Sequence, residues 1–162
     1  MKIDLAQIER RTVSISEYLR TLDERFRQKF IEAKSTYQSK QGSIDQLRNA
    51  ASEYVIVVFS AAWCKDCAVM IPALALISEE TGLHVRVFGA LKKDALNPSC
   101  KWRIPPSPPE VQMFGVDKIP LAIVCERHGL EIGRIAEKPS QNLSLEEELL
   151  EIVKLHKSRR SL

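Results

Sequence analysis

The stretch Tyr54-Val55-Ile56-Val57-Val58-Phe59-Ser60-Ala61-Ala62-Trp63-Cys64-Lys65-Asp66-Cys67 decides how the rest of the chain is read. Its first six residues are continuously apolar and β-branched, the pattern of a strand buried on both faces. From Ala68 to Ser78 the apolar residues recur at helical spacing. The order is therefore strand, short turn, then two cysteines at the start of a helix. The free N–H groups and positive dipole end of a helix stabilise a thiolate, so Cys64 should ionise below an ordinary cysteine's range. Two intervening residues bring Cys67 round the first turn to face Cys64, and the pair can then be a dithiol or a disulfide. A Cys-x-x-Cys pair can also be half of a zinc site or an inert relic. Structural zinc normally takes four ligands, and the chain has no second Cys-x-x-Cys and no His-x-x-x-His. Redox chemistry is the stronger reading.

Outward from this stretch, the upstream sequence reads as helical. Residues Ile15 to about Lys40 are predicted as one long helix, opened by a Ser14/Glu17 capping box and ended at Gln41-Gly42. Ile15, Tyr18, Leu19, Leu22, Phe26 and Phe30 form its apolar stripe, which must lie on the rest of the chain or on a second copy. Ser43 with Gln46 caps a short helix through Ala51. Residues 1–52 are thus a helical extension packed on the core, and residues 53–162 the main domain.

Downstream, the helix beginning at Cys64 contains Pro72, which should kink it, and stops at Thr81-Gly82. His84 to Ala90 is a second strand, parallel to the first through a right-handed crossover. A long irregular insertion, residues 91–109, ends in the proline run 104–109, predicted to be extended. A short helix through Glu110 to Phe114 follows, then a strand over Lys118 to Cys125, a turn at Gly129 and an antiparallel strand from Leu130 to Ala136. Ser144 and Glu147 cap a last helix through about Lys157.

The composition is that of an ordinary soluble globular chain: 162 residues, 44% hydrophobic, 28% charged. A net charge of +3, with no aromatics interleaved among the basic residues, argues against nucleic acid. No apolar run approaches the roughly 20 residues that span a bilayer, and the start lacks a signal peptide's apolar core. The expectation is a cytoplasmic protein without a membrane partner, a monomer or weak dimer. Four cysteines are too few for a disulfide scaffold.

Trp63-Cys64-x-x-Cys67, Pro72 five residues on, Phe114-Gly115-Val116-x-x-Ile119-Pro120 and Gly129 occur in the order of the thioredoxin superfamily's anchors. Over residues 53–157 the chain resembles that superfamily. The resemblance implies an α/β thioredoxin-like fold, a central mixed β-sheet flanked by helices, with the long N-terminal helix as an addition. It implies Cys64 as nucleophile, Cys67 as resolving cysteine, a cis Ile119-Pro120 facing them, and Trp63, Ile119 and Pro120 as the substrate-binding surface. Lys65 favours the Cys64 thiolate and Asp66 opposes it. Lys118 is a further neighbour to weigh. No cofactor is implied beyond the redox-active Cys64–Cys67 disulfide, and no metal. The implied activity is a thiol–disulfide oxidoreductase that reduces protein disulfides in cell redox homeostasis. Its partners are those disulfides and a separate reductase or small thiol as electron donor. A non-catalytic interaction module on the same fold is the alternative.

The chain departs from the family pattern in several places, among them the Lys65-Asp66 dipeptide between the cysteines, where thioredoxin has Gly-Pro. The superfamily's buried aspartate, six residues before the first cysteine, is Val58 here, so the proton on Cys67 must be handled by water or another group. Glu137 stands near a groove-lining glycine, and the insertion has no thioredoxin counterpart. Cys100, inside that insertion, reads first as a bystander and second as a third redox thiol exchanging with Cys64, whereas Cys125 in a strand reads as a small buried apolar residue.

Overall fold

All six residues from Tyr54 to Phe59 are buried, as the apolar run demands of a central strand. The computed structural model describes residues 1–98, 101–102 and 104–162. The chain reaches the central strand through α1 (Leu5–Arg11), β1 (Val13–Ser14), α2 (Ile15–Thr21), α3 (Glu24–Thr36), α4 (Gln41–Ala50) and a 3-10 turn (Ala51–Glu53). It continues through β2 (Tyr54–Phe59), α5 (Cys67–Thr81), β3 (His84–Phe88), α6 (Glu110–Met113), β4 (Leu121–Glu126), β5 (Glu131–Ala136) and α7 (Leu145–Arg160).

The strands form one mixed sheet in the order β1-β3-β2-β4-β5. β2 runs parallel to β3, with Val57 opposite Arg86 and Phe59 opposite Phe88, and antiparallel to β4, with Phe59 opposite Leu121. β5 completes a hairpin with β4 that shifts register between Val124 and Cys125. α5 ends at Gly82, whose φ of 82° provides the left-handed cap that a side chain would resist. β4 starts only at Leu121 because Pro120 has no N–H for the ladder. The Ile119–Pro120 peptide is cis.

The N-terminal region differs from the single long helix expected over residues 15–40. Leu22 leaves the helical conformation and turns into the core, and the Asp23 side chain accepts the Arg25 N–H to start a new helix. The next break falls at residues 37–40 rather than at Gly42, and Gly42 and Ser43 lie inside α4. The reason is tertiary. The fully buried carboxylate of Glu146 accepts the Tyr37 hydroxyl at 2.7 Å and the Lys40 backbone N–H at 3.2 Å. Those bonds hold the segment on α7, while α3 and α4 pack on α5. The apolar stripe of α2 and α3 therefore covers this chain's own core. Tyr37→Phe leaves one oxygen of a buried carboxylate without its donor, and the expected loss is about 2 kcal/mol of stability. A lower urea midpoint at unchanged m would register it, and an unchanged midpoint would refute the anchoring role.

The first residues were not foreseen as structured. Ile3 donates its N–H to the Gly129 carbonyl at 2.7 Å, at the β4–β5 turn. Gly129 has φ 95° and a Cβ there would lie 2.0 Å from the Ile3 carbonyl oxygen, so both the turn and the passing chain require glycine. From there α1 leads to β1, which adds to the far edge of the sheet beside β3. Arg86 of β3 holds this connection through the Thr12 hydroxyl and carbonyl, at 2.9 and 2.6 Å. Arg11 forms a bidentate ion pair with the buried Glu110 of α6.

The proline run is a turn, not an extended segment. Ser107 donates its N–H to the Ile104 carbonyl, and the Pro105–Pro106 peptide is cis. The Ser107 hydroxyl also accepts from the Lys92 N–H at 2.7 Å and donates to the Lys92 carbonyl at 3.1 Å, closing the base of the insertion.

Candidate functional site

The site is built where β2 stops. The Ser60 N–H donates to the Phe88 carbonyl at 2.9 Å, and the chain then turns through Ala61–Asp66 into α5. The helix begins at Cys67 and not at Cys64, where the sequence pattern placed its start. Cys64 occupies the turn before it, its carbonyl accepting the Ala68 N–H at 3.1 Å. This position aims the helix's unsatisfied N–H groups at the Cys64 sulfur. The Cys67 N–H donates to Cys64 Sγ at 3.2 Å. The Cys64 thiol in turn points at the Ile119 carbonyl, 3.7 Å away, which brings the peptide before Pro120 to the cysteine pair.

Cys64, Cys67 and Cys125 are free thiols, and their environments differ sharply. The Cys64 pKa is lowered to about 7. The hydrogen bond from the Cys67 thiol contributes most; burial opposes it, the backbone N–H groups of Cys67 and Asp66 add to it, and the Asp66 carboxylate works against it. Cys67 is fully buried, and burial first, then its bond to Cys64, pushes its pKa far up. Cys125 lies buried in β4 with its thiol pushed up to about 12, again mainly by burial. One sulfur is thus poised to attack and another is held protonated behind it. Cys100 lies outside the described residues.

The insertion forms one wall of the cleft beside Cys64. Trp63 is half-exposed; its indole N–H donates to the Leu91 carbonyl at 3.3 Å and its ring stacks on Trp102, with centroids 6.2 Å apart. Trp102 is buried and donates to the Asp117 carbonyl at 2.9 Å, so the insertion is anchored to the segment before the cis proline. Lys101 pairs with Asp117 at 2.9 Å, and Lys118 with Glu137 at 3.4 Å. Lys65 and Asp66 sit exposed on the rim. Glu137, with φ 63°, gives its N–H to the Pro120 carbonyl at 2.7 Å, so a left-handed residue is used there although it is not glycine.

Two side chains of the site escaped sequence reading. The Ser60 hydroxyl pulls the Cys67 pKa down against the effect of burial, and the Tyr18 hydroxyl of α2 lies 3.4 Å from Ser60 Oγ. Ser60 carried a signal, as the one polar residue in the run from Tyr54 to Ala62. Tyr18 carried none beyond its place in an apolar stripe.

The low pKa of Cys64 is directly testable. Its alkylation by iodoacetamide, followed by mass spectrometry of its peptide, should rise tenfold per pH unit below about pH 7 and level off above it. The sign follows from the lowered pKa: the reactive thiolate persists to lower pH than in an ordinary cysteine. A midpoint near 8.5 or above, the free-cysteine value, would contradict the site's electrostatics.

Residues 12–150 match the family model described as thioredoxin, and the chain belongs to that family. None of the curated proteins matches this sequence. Among solved structures, a protein of unknown function from Pseudomonas aeruginosa is similar at TM-score 0.69 and 14% identity, over 97% of this chain and 99% of that one. An HIV epitope scaffold is similar at TM-score 0.69 and 12% identity, over 96% of this chain and 99% of the scaffold. These likenesses concern the fold, and their span takes in the N-terminal helices as well as the sheet. Among the described residues, no helix is long and apolar enough to cross a membrane.

Proposed function

We propose that the protein is a cytoplasmic thiol–disulfide oxidoreductase that reduces protein disulfides through Cys64 and Cys67. The observation that carries this reading is the asymmetry of the pair. Cys64 accepts the N–H at the start of α5 and ionises at about pH 7, while Cys67 is buried and held as a thiol. The Cys64 thiolate attacks one sulfur of a target disulfide, and the other target sulfur leaves with the bonding electron pair. Cys67 then loses its proton and attacks Cys64 Sγ; the mixed disulfide breaks, the second target thiolate departs, and the Cys64–Cys67 disulfide remains. The two electrons that reduced the target came from the two cysteines, so a separate reductase or a small thiol must restore the dithiol.

The half-exposed Trp63 and the backbone of Ile119-Pro120, whose side chains are buried, form the surface on which the target rests. The Ile119 carbonyl lies beside Cys64, and an extended target segment can pair with the backbone there as an added strand. The protein works as a monomer or weak dimer, with no nucleic-acid or membrane partner, in cell redox homeostasis.

A redox titration of the Cys64/Cys67 couple, with Cys64→Ser as control, tests the proposal. A single two-electron transition near about −270 mV supports a reductase. A value near about −120 mV makes the protein an oxidant instead. Absence of a transition removes the catalytic reading and leaves an interaction module.

A further inference from the structure

The resolving step poses a problem that the cysteines do not solve by themselves. Cys67 must give up its thiol proton before it can attack, yet it is fully buried and its surroundings favour the protonated form. Burial and the bond to Cys64 favour that form, while the Ser60 hydroxyl and the Ala61 backbone favour the thiolate. Val58, fully buried in β2, supplies no acid or base. The exposed Asp66 carboxylate works against the Cys64 thiolate.

The polar path away from Cys67 runs through two hydroxyls. Ser60 is fully buried, fixed by its N–H on the Phe88 carbonyl, and its hydroxyl favours the Cys67 thiolate. Tyr18 reaches Ser60 from α2, an element of the N-terminal extension, with the two oxygens 3.4 Å apart. That is long for a hydrogen bond between hydroxyls, as resting-state catalytic contacts often are. The ring of Tyr18 is held by Gly89, where a Cβ would stand 2.2 Å from Tyr18 Cε1. Tyr18 also lines a groove between the α1–β1 connection and the proline turn, with Thr12, Gly89 and Pro106 among its walls.

We infer that Ser60 and Tyr18 form a hydroxyl relay through which the Cys67 proton leaves for the groove during resolution of the mixed disulfide. This rests on the proposed reductase reading. The Cys67 proton passes to Ser60 Oγ as the Ser60 proton passes to Tyr18 Oη and the Tyr18 proton to water in the groove. The sulfur electron pair freed at Cys67 forms the bond to Cys64 Sγ, and the pair of the broken bond leaves on the target sulfur, which takes a proton from solvent. Burial pushes the Tyr18 hydroxyl up to about 12, so near neutrality it stays protonated and conducts a proton rather than storing charge. In this relay Ser60 takes the reacting sulfur's proton and is catalytic in the step. Tyr18 acts through Ser60 and is a positioning residue.

The test is a stopped-flow reaction of the reduced full-length protein, carrying Cys100→Ser, with an aromatic disulfide whose thiol product is coloured. The first release of colour reports attack by Cys64, and the second reports resolution by Cys67. Tyr18→Phe, which keeps the ring against Gly89, should leave the first release unchanged, slow the second about tenfold and move its pH profile upward. Ser60→Ala should slow the second release about a hundredfold, and Ser60→Thr should restore it. A second release in Tyr18→Phe that matches the parent in rate and pH profile overturns the relay, as does equal slowing of both releases, which marks a structural defect. No first release from the parent overturns the reductase reading itself, a failure distinct from the relay's and fatal to both.

Discussion

Cys67→Ser protein mixed with a disulfide-bonded target is expected to stay covalently joined to it. A non-reducing gel should show a single new band at the summed mass, dispersed by reductant. Cys64→Ser should form no such band, and its turnover should fall by several orders of magnitude, as removal of a nucleophile does. The difference follows from geometry. Cys64 is largely buried but less so than Cys67, lines the cleft with Trp63 and touches the Ile119 carbonyl, so it meets the target first. Cys67 is fully buried on α5, next to Cys64 and out of a large target's reach. With serine at position 67 the adduct forms and has no internal exit. If Cys64→Ser forms the adduct and Cys67→Ser does not, the roles of the two cysteines are reversed from those proposed.

The largest effect on stability is expected at Trp102. It is buried, stacked on Trp63 and bonded to the Asp117 carbonyl, and so links three segments distant in sequence. Trp102→Ala should cost about 3–5 kcal/mol, the usual toll for emptying the site of a buried large aromatic. The insertion would come away from Asp117, and Trp63 would lose its neighbour. Activity on protein disulfides should then fall severalfold under conditions where the variant is still folded, while reduction of a small soluble disulfide changes little. Trp102→Phe keeps most of the packing but not the N–H, and should lose about 1 kcal/mol. A Trp102→Ala midpoint in urea close to the parent's would mean that the insertion is held elsewhere.

The core of this fold was legible in the sequence because its signals are local. The run Tyr54–Phe59, the two cysteines and the glycine at position 82 each state their conformation within a few residues, and β2 and α5 appear where they direct. The capping box at Ser144 and Glu147 is likewise present, both halves of it. The N-terminal region was not legible in the same way. Its periodicity over residues 15–40 is that of one helix. The breaks come from Leu22 turning inward and from Glu146, which is more than a hundred residues away in sequence. β1 is two residues long and exists only because β3 offers an edge. That Trp63 and a cis Ile119-Pro120 would stand beside Cys64 and Cys67 was implied by the resemblance, and the structure brings them together. Tyr18 was not legible, because a tyrosine in an apolar stripe looks the same whether its hydroxyl meets water or a buried serine. The Trp63–Trp102 stack joins residues whose partnership no spacing encodes.

The first fourteen residues touch both borders of the sheet. Met1 accepts the Glu131 N–H at the start of β5, and Val13 and Ser14 lie along β3 on the opposite side. Without them β3, with its Val85, Val87 and Phe88, would present a row of unpaired backbone groups, an invitation to strands of other chains. A fragment cut at residue 53 for convenience would keep both cysteines and still be a poor protein, prone to self-association. What reads as an appendage in the sequence serves as the hem that keeps this sheet from growing.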